Sequence, residues 1–75
     1  MEQFEEVFNF VRASQYIEQY FAYKRLGNMR GMVQARLSYE YYRNQFKNKE
    51  TFKAFGELEQ KLLNDFKGVG KHGKE

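Results

Sequence analysis

The chain contains no proline, and its six glycines gather mainly around Gly27 and Gly31 and again after Phe66. Long stretches are therefore free of the two strongest helix breakers, and every one of their residues keeps a backbone N–H that a helix can use. This points to an all-α fold before any side chain is considered. With 75 residues there is material for one small domain and too little for two cores.

Residues 2–26 have neither Gly nor Pro, and Phe4, Val7, Phe8 and Val11 recur at i, i+3, i+4 and i+7, the spacing of one helical face. Beyond Val11 the stripe drifts. Phe10, Ile17 and Phe21 continue on a rotated line, with Ala13 and Ser14 at the changeover. The segment reads either as one long curving helix or as two pieces, the second capped by Ser14. Glu2, Glu5 and Glu6 fall in its first turns, where the helix dipole favours negative charge.

Gly27 has the position of a left-handed C-terminal cap, and Asn28 and Gly31 loosen the next few residues, so the chain is expected to reverse here. A second helix, from about Met29 to Lys47, carries Met32, Ala35, Tyr39, Tyr42 and Phe46 on one stripe. It carries Val33, Leu37 and Tyr41 on a different side. A helix that is apolar on two sides needs two partners, either the flanking helices or a second copy of the chain. Asn48 can cap a third helix, in which Phe52, Phe55, Leu58 or Glu59, Leu62 and Phe66 form the stripe, Leu63 widens it and Gly68 is the stop signal. The expected architecture is an antiparallel helical hairpin plus a third helix, a small three-helix bundle completed by dimerisation, with residues 1–67 as the domain and 68–75 as a flexible basic tail. Among the aromatics, Phe4, Phe8, Phe21, Phe46, Phe52, Phe55 and Phe66 are assigned to packing. Tyr16, Tyr23 and Tyr41 fall off the main stripes and are left as exposed or interfacial.

Chemistry is sparse. There is no Cys, one His (His72) and one Asp (Asp65), so disulfides, thiolate metal sites, a Cys nucleophile and most acid–base constellations lack their residues. Glu57 and Glu59 stand two apart and face away from each other on a helix. Gly70-Lys71 resembles the end of a phosphate-binding loop, but Asp65 and His72 occupy the places that need Gly and Ser or Thr. His72 is read as a solvent-exposed tail residue. No catalytic residue, cofactor or metal is assigned, and the chain is not expected to be an enzyme. No apolar run suits a membrane span, and the acidic opening is not that of an export signal, so a cytoplasmic, non-membrane protein is expected.

The net charge of +3 conceals an asymmetry: residues 1–23 hold four Glu against Arg12, whereas residues 24–53 hold eight basic residues against two Glu. Arg36, Arg43 and Lys47, on one side of the second helix at spacings of 7 and 4, are with Lys49 and Lys53 candidate nucleic-acid contacts that could follow a phosphate backbone; Glu40, between Arg36 and Arg43, offers local pairing instead. A helix-turn-helix fits poorly, because the helices on either side of Gly27 are long and suit a hairpin. Val33, Leu37 and Tyr41 are the candidate dimer or partner interface. The first functional reading is a non-enzymatic interaction protein, an adaptor or inhibitor that binds another protein and itself as a homodimer. The alternative is a small nucleic-acid-binding protein that uses the basic segment. In size, aromatic density and lack of reactive residues the chain resembles short accessory proteins that viruses and mobile elements encode to bind a host protein, a resemblance of general character that rests on no alignable segment.

Overall fold

The structure, a computed structural model, describes residues 2–72; the side chains of Glu2 and of residues 69–72 lie outside the description. Helix α1 spans Glu2–Leu26 and runs unbroken through Ser14, so the single long helix is found and not the two capped pieces. It stops at Gly27, whose φ of 73° only glycine adopts without strain. The Gly27 N–H bonds to the Lys24 carbonyl (3.1 Å) and the Asn28 N–H to the Tyr23 carbonyl (2.9 Å), the paired 5→2 and 6→1 bonds of a Schellman cap. Lys24 and Arg25 in this last turn meet the negative end of the helix dipole.

Asn28 is at once the N-cap of α2 (Met29–Arg43): its side-chain oxygen accepts the Gly31 N–H at 3.0 Å. The reversal is therefore tight, not loosened. Gly31 has a different task from the one expected of it. A Cβ there would come within 2.5 to 2.7 Å of Tyr23 ring atoms, so the missing side chain is what lets the ring of α1 lie on the backbone of α2.

Helix α2 ends four residues before the expected Lys47. Asn44 closes it with an N–H bond to the Glu40 carbonyl. Single turns then carry the Gln45 N–H to Tyr42 and the Phe46 N–H to Arg43. The stop has a packing reason. Phe46, 6% exposed, leaves the helix to insert among Phe10, Phe52 and Phe55, with ring centroids 6.1, 5.3 and 5.6 Å away. Helix α3 (Lys49–His72) continues past the expected stop at Gly68. The solvent exposure expected of His72 and the tail residues 73–75 fall outside the described residues.

The three helices form a small all-α bundle with no strand among the described residues. Phe8 meets Tyr42 and Tyr23 covers Gly31, so α2 runs antiparallel to α1; Glu6 meets the start of α3 and Phe21 meets Phe66, so α3 runs parallel to α1. Helix α1 packs on both others, while α2 and α3 scarcely meet. Ala13, Ile17, Phe21, Tyr39, Phe46 and Phe55 are the buried core, and Phe10, Tyr16, Tyr20, Tyr42, Leu58, Leu62, Leu63 and Phe66 close around it.

Candidate functional site: a bare apolar face

The inward row of α1 is Glu6, Phe10, Ala13, Ile17 and Phe21, steps of 4, 3, 4 and 4. Phe4, Val7, Phe8 and Val11, the most regular apolar stripe of the sequence, stand instead on the opposite side and are 73, 60, 48 and 45% exposed. The assignment of Phe4 and Phe8 to the core is thereby corrected. Phe52 is also exposed, at 42%, although its ring still touches Phe46. Tyr16 and Tyr23 move the other way: Tyr16 stacks on Tyr42 (5.9 Å, 7° between ring planes), Tyr23 covers Gly31, and both are half-buried.

On α2, Val33, Leu37 and Tyr41 are all exposed and share one outward side, with Met29 four residues earlier extending the row. The bare row of α1 and that of α2 are joined by rings. Phe8 meets the edge of Tyr42 at 6.3 Å, and Tyr42 meets Tyr41 at 5.0 Å. Arg12 stands over Phe8 at 5.7 Å and bonds Gln15 at 3.2 Å, while its buried Nε has no hydrogen-bond partner among the described residues. A shallow groove of about 270 Å³ opens beside this face, lined by Glu6, Val7, Phe10, Glu50, Thr51 and Ala54.

Glu6 closes the inner end of that groove and is the one buried charged side chain among the described residues. Its two oxygens accept the Lys47 N–H, both at 3.0 Å, and one also accepts the Asn48 N–H at 3.0 Å. The Thr51 hydroxyl first, then the Asn48 N–H, hold its carboxyl below the ordinary carboxylate range, against the opposing effect of burial. A carboxylate from α1 thus serves the unpaired N–H groups at the start of α3, where the sequence pattern pointed to the side chain of Asn48. Asn48 contributes its carbonyl, which accepts from Thr51 and Phe52.

The candidate nucleic-acid residues do not share one helical side. Arg36 is ion-paired to Glu40 at 3.1 Å, and Arg43 ends α2. Lys47 lies in the linker, because α2 has already stopped, and Lys49 and Lys53 occupy the first turns of α3. All five are exposed. No group of three or more His, Cys, Asp or Glu side chains suited to a metal ion occurs among the described residues, and no described helix is long and apolar enough to cross a membrane. Comparison with family models, with curated proteins and with solved structures gives no match to this chain.

Proposed function

We propose that the protein is a non-enzymatic interaction module, an adaptor or inhibitor that offers the bare face of its helical hairpin to another protein and to a second copy of itself. The observation that supports this reading is the exposure of a joined set of large apolar side chains: Phe4, Val7, Phe8 and Val11 on α1, and Met29, Val33, Leu37 and Tyr41 on α2. A monomer that worked alone would leave these in water at a cost of roughly 25 cal/mol per Å² relative to burial. Aromatic and aliphatic side chains amid arginines are also the composition of an interface centre and its rim. The cytoplasm is the compartment this reading assumes.

The test is affinity capture from the native host, with and without nuclease, comparing the natural chain with Leu37→Asp. A protein retained by the natural chain after nuclease and lost with Leu37→Asp supports the reading. Equal capture by both chains rejects it.

Nucleic-acid binding is the second reading, favoured by one observation: Arg43, Lys47, Lys49 and Lys53 make no ion pair among the described residues and cluster in sequence about the α2–α3 junction. Four phosphate contacts on duplex DNA would give a slope of about −3.6 in log affinity against log salt. The absence of any mobility shift at tens of micromolar protein in low salt rejects this second reading.

A further inference from the structure

Resting on the reading of the bare face as an interface, we infer that a second copy of this chain covers it across a two-fold axis, the α1 row of each copy lying against the α2 row of the other. The area requires both rows. Val33, Leu37 and Tyr41 alone expose on the order of 350 Å², well short of the ~800 Å² per partner of a stable interface, whereas the eight residues of both rows together reach about that value.

Charge selects the pairing. An α2-on-α2 contact would set Arg30 and Arg43 of one copy against the same two of the other, Arg36 being paired already to Glu40. The α1 surface carries exposed Glu5 and Glu18 against Arg12 over Phe8, a balance that opposes these arginines in sign. Shape agrees. Met29, Val33, Leu37 and Tyr41 lie at steps of four and form one ridge. Phe4–Phe8 and Val7–Val11 form two parallel ridges of the same kind with a groove between them, and ridges of this class interlock at a crossing angle of about −50°. Ring contacts from Phe8 to Tyr42 and from Tyr42 to Tyr41 link the two rows, and a two-fold axis repeats the α1-on-α2 contact, so the assembly closes at two chains. The chain itself is open for its length. Its Cα radius of gyration is 13.6 Å, against about 11 Å for a compact 75-residue domain.

Sedimentation of the full chain across nanomolar to tens of micromolar concentrations tests this, with helicity followed by circular dichroism. The natural chain should sediment with twice the chain mass. Phe4→Asp on α1 and Leu37→Asp on α2 should each raise the dissociation constant by about 30-fold or more, the loss of one central anchor, with helicity kept. Val11→Asp serves as a second α1 variant, and Lys61→Glu, exposed on α3, should leave association unchanged. A single-chain mass throughout, with full helicity, overturns the inference, as does undiminished association of both α1 variants while Leu37→Asp dissociates. In either case the broader reading survives if the captured protein is still lost with Leu37→Asp; if the dimer forms and nothing is captured, it is the broader reading that fails.

Discussion

Helix α1 has two rows that differ in what covers them. Glu6, Phe10, Ala13, Ile17 and Phe21 face the other two helices; Phe4, Val7, Phe8 and Val11 are left largely exposed, Phe8 touching α2 only at the edge of Tyr42 and Val7 bordering the groove beside α3. The covered row is the less apolar of the two and includes a glutamate, yet it makes the better packing surface. Ala13 and Ile17 are fully enclosed, so the helices approach closely there, and the aromatic rings of α2, the linker and α3 fill the space around them. Glu6 is tolerated because it lands where a helix start needs acceptors. An inward row is thus chosen by shape and satisfied polar groups as much as by apolar content, and the proposed interface is what would give the outer row a role.

The strongest way to break this contrast is to thin the covered row. Ile17→Ala removes three carbons from a site with no exposed surface and should cost about 2–5 kcal/mol. A core of this size supplies about 3–5 kcal/mol in all. The variant should therefore lose most of its helical circular dichroism at 25 °C. A cooperative melt close to that of the natural chain would show that Ile17 is not where the stability lies.

Glu6→Gln comes next. The amide keeps one oxygen but turns an N–H₂ toward the Lys47 and Asn48 donors, so the start of α3 loses part of its hold and the melting midpoint should fall by several degrees. The direction of the shift sets the sign of the acid dependence. The folded-state pKa of Glu6 lies below its ordinary 4.5, so its stabilisation is complete above that value and is lost as pH falls through the folded-state value. Natural and variant chains should differ most at neutral pH and converge in acid. A difference in midpoint that does not shrink on acidification would remove the charge from the explanation.

Helix content, the Gly27 cap and the hairpin were legible in the sequence because each arises from local signals: absent breakers, a glycine after the last turn and basic residues before it. The choice of row was not. Periodicity identifies faces without saying which one is covered, and here the denser apolar stripe is the outer one. Glu6 could have been noticed as the residue four before Phe10 and seven before Ala13, on the line that continues to Ile17. Its backbone partners stand 41 and 42 residues away, however, and spacing does not register them. The early end of α2 was hidden for the same reason, since Phe46 keeps the helical spacing while packing from the linker.

Gly31→Ala tests the hairpin side of the contrast. In a free helix the change is worth up to about 1 kcal/mol in favour of alanine. Here the new carbon would overlap the Tyr23 ring, and displacing a half-buried ring from between two helices costs about 1–3 kcal/mol. A net loss of about 1 kcal/mol in denaturant melts is expected, whereas a stabilised variant would mean that Tyr23 moves freely. Gly56→Ala, where a Cβ meets nothing within 4 Å, is the matched control and should show the propensity gain alone.

The smallest effect sharpens the comparison most. Phe4→Asp replaces a large aromatic of the outer row, 73% exposed, by a charge in the first turn of α1, where the helix dipole favours an acid. If the outer row contributes nothing within one chain, the stability of the monomer should change by less than about 0.5 kcal/mol. The melt has to be made at nanomolar concentration, because association would otherwise stabilise the natural chain by mass action and imitate an intrachain loss. Equal midpoints at nanomolar protein, with a gap opening at tens of micromolar, would assign the row to contacts between chains. A gap already present at the lowest concentration would place Phe4 in the fold after all, and the distinction between the two rows of α1 would fail at its most exposed residue.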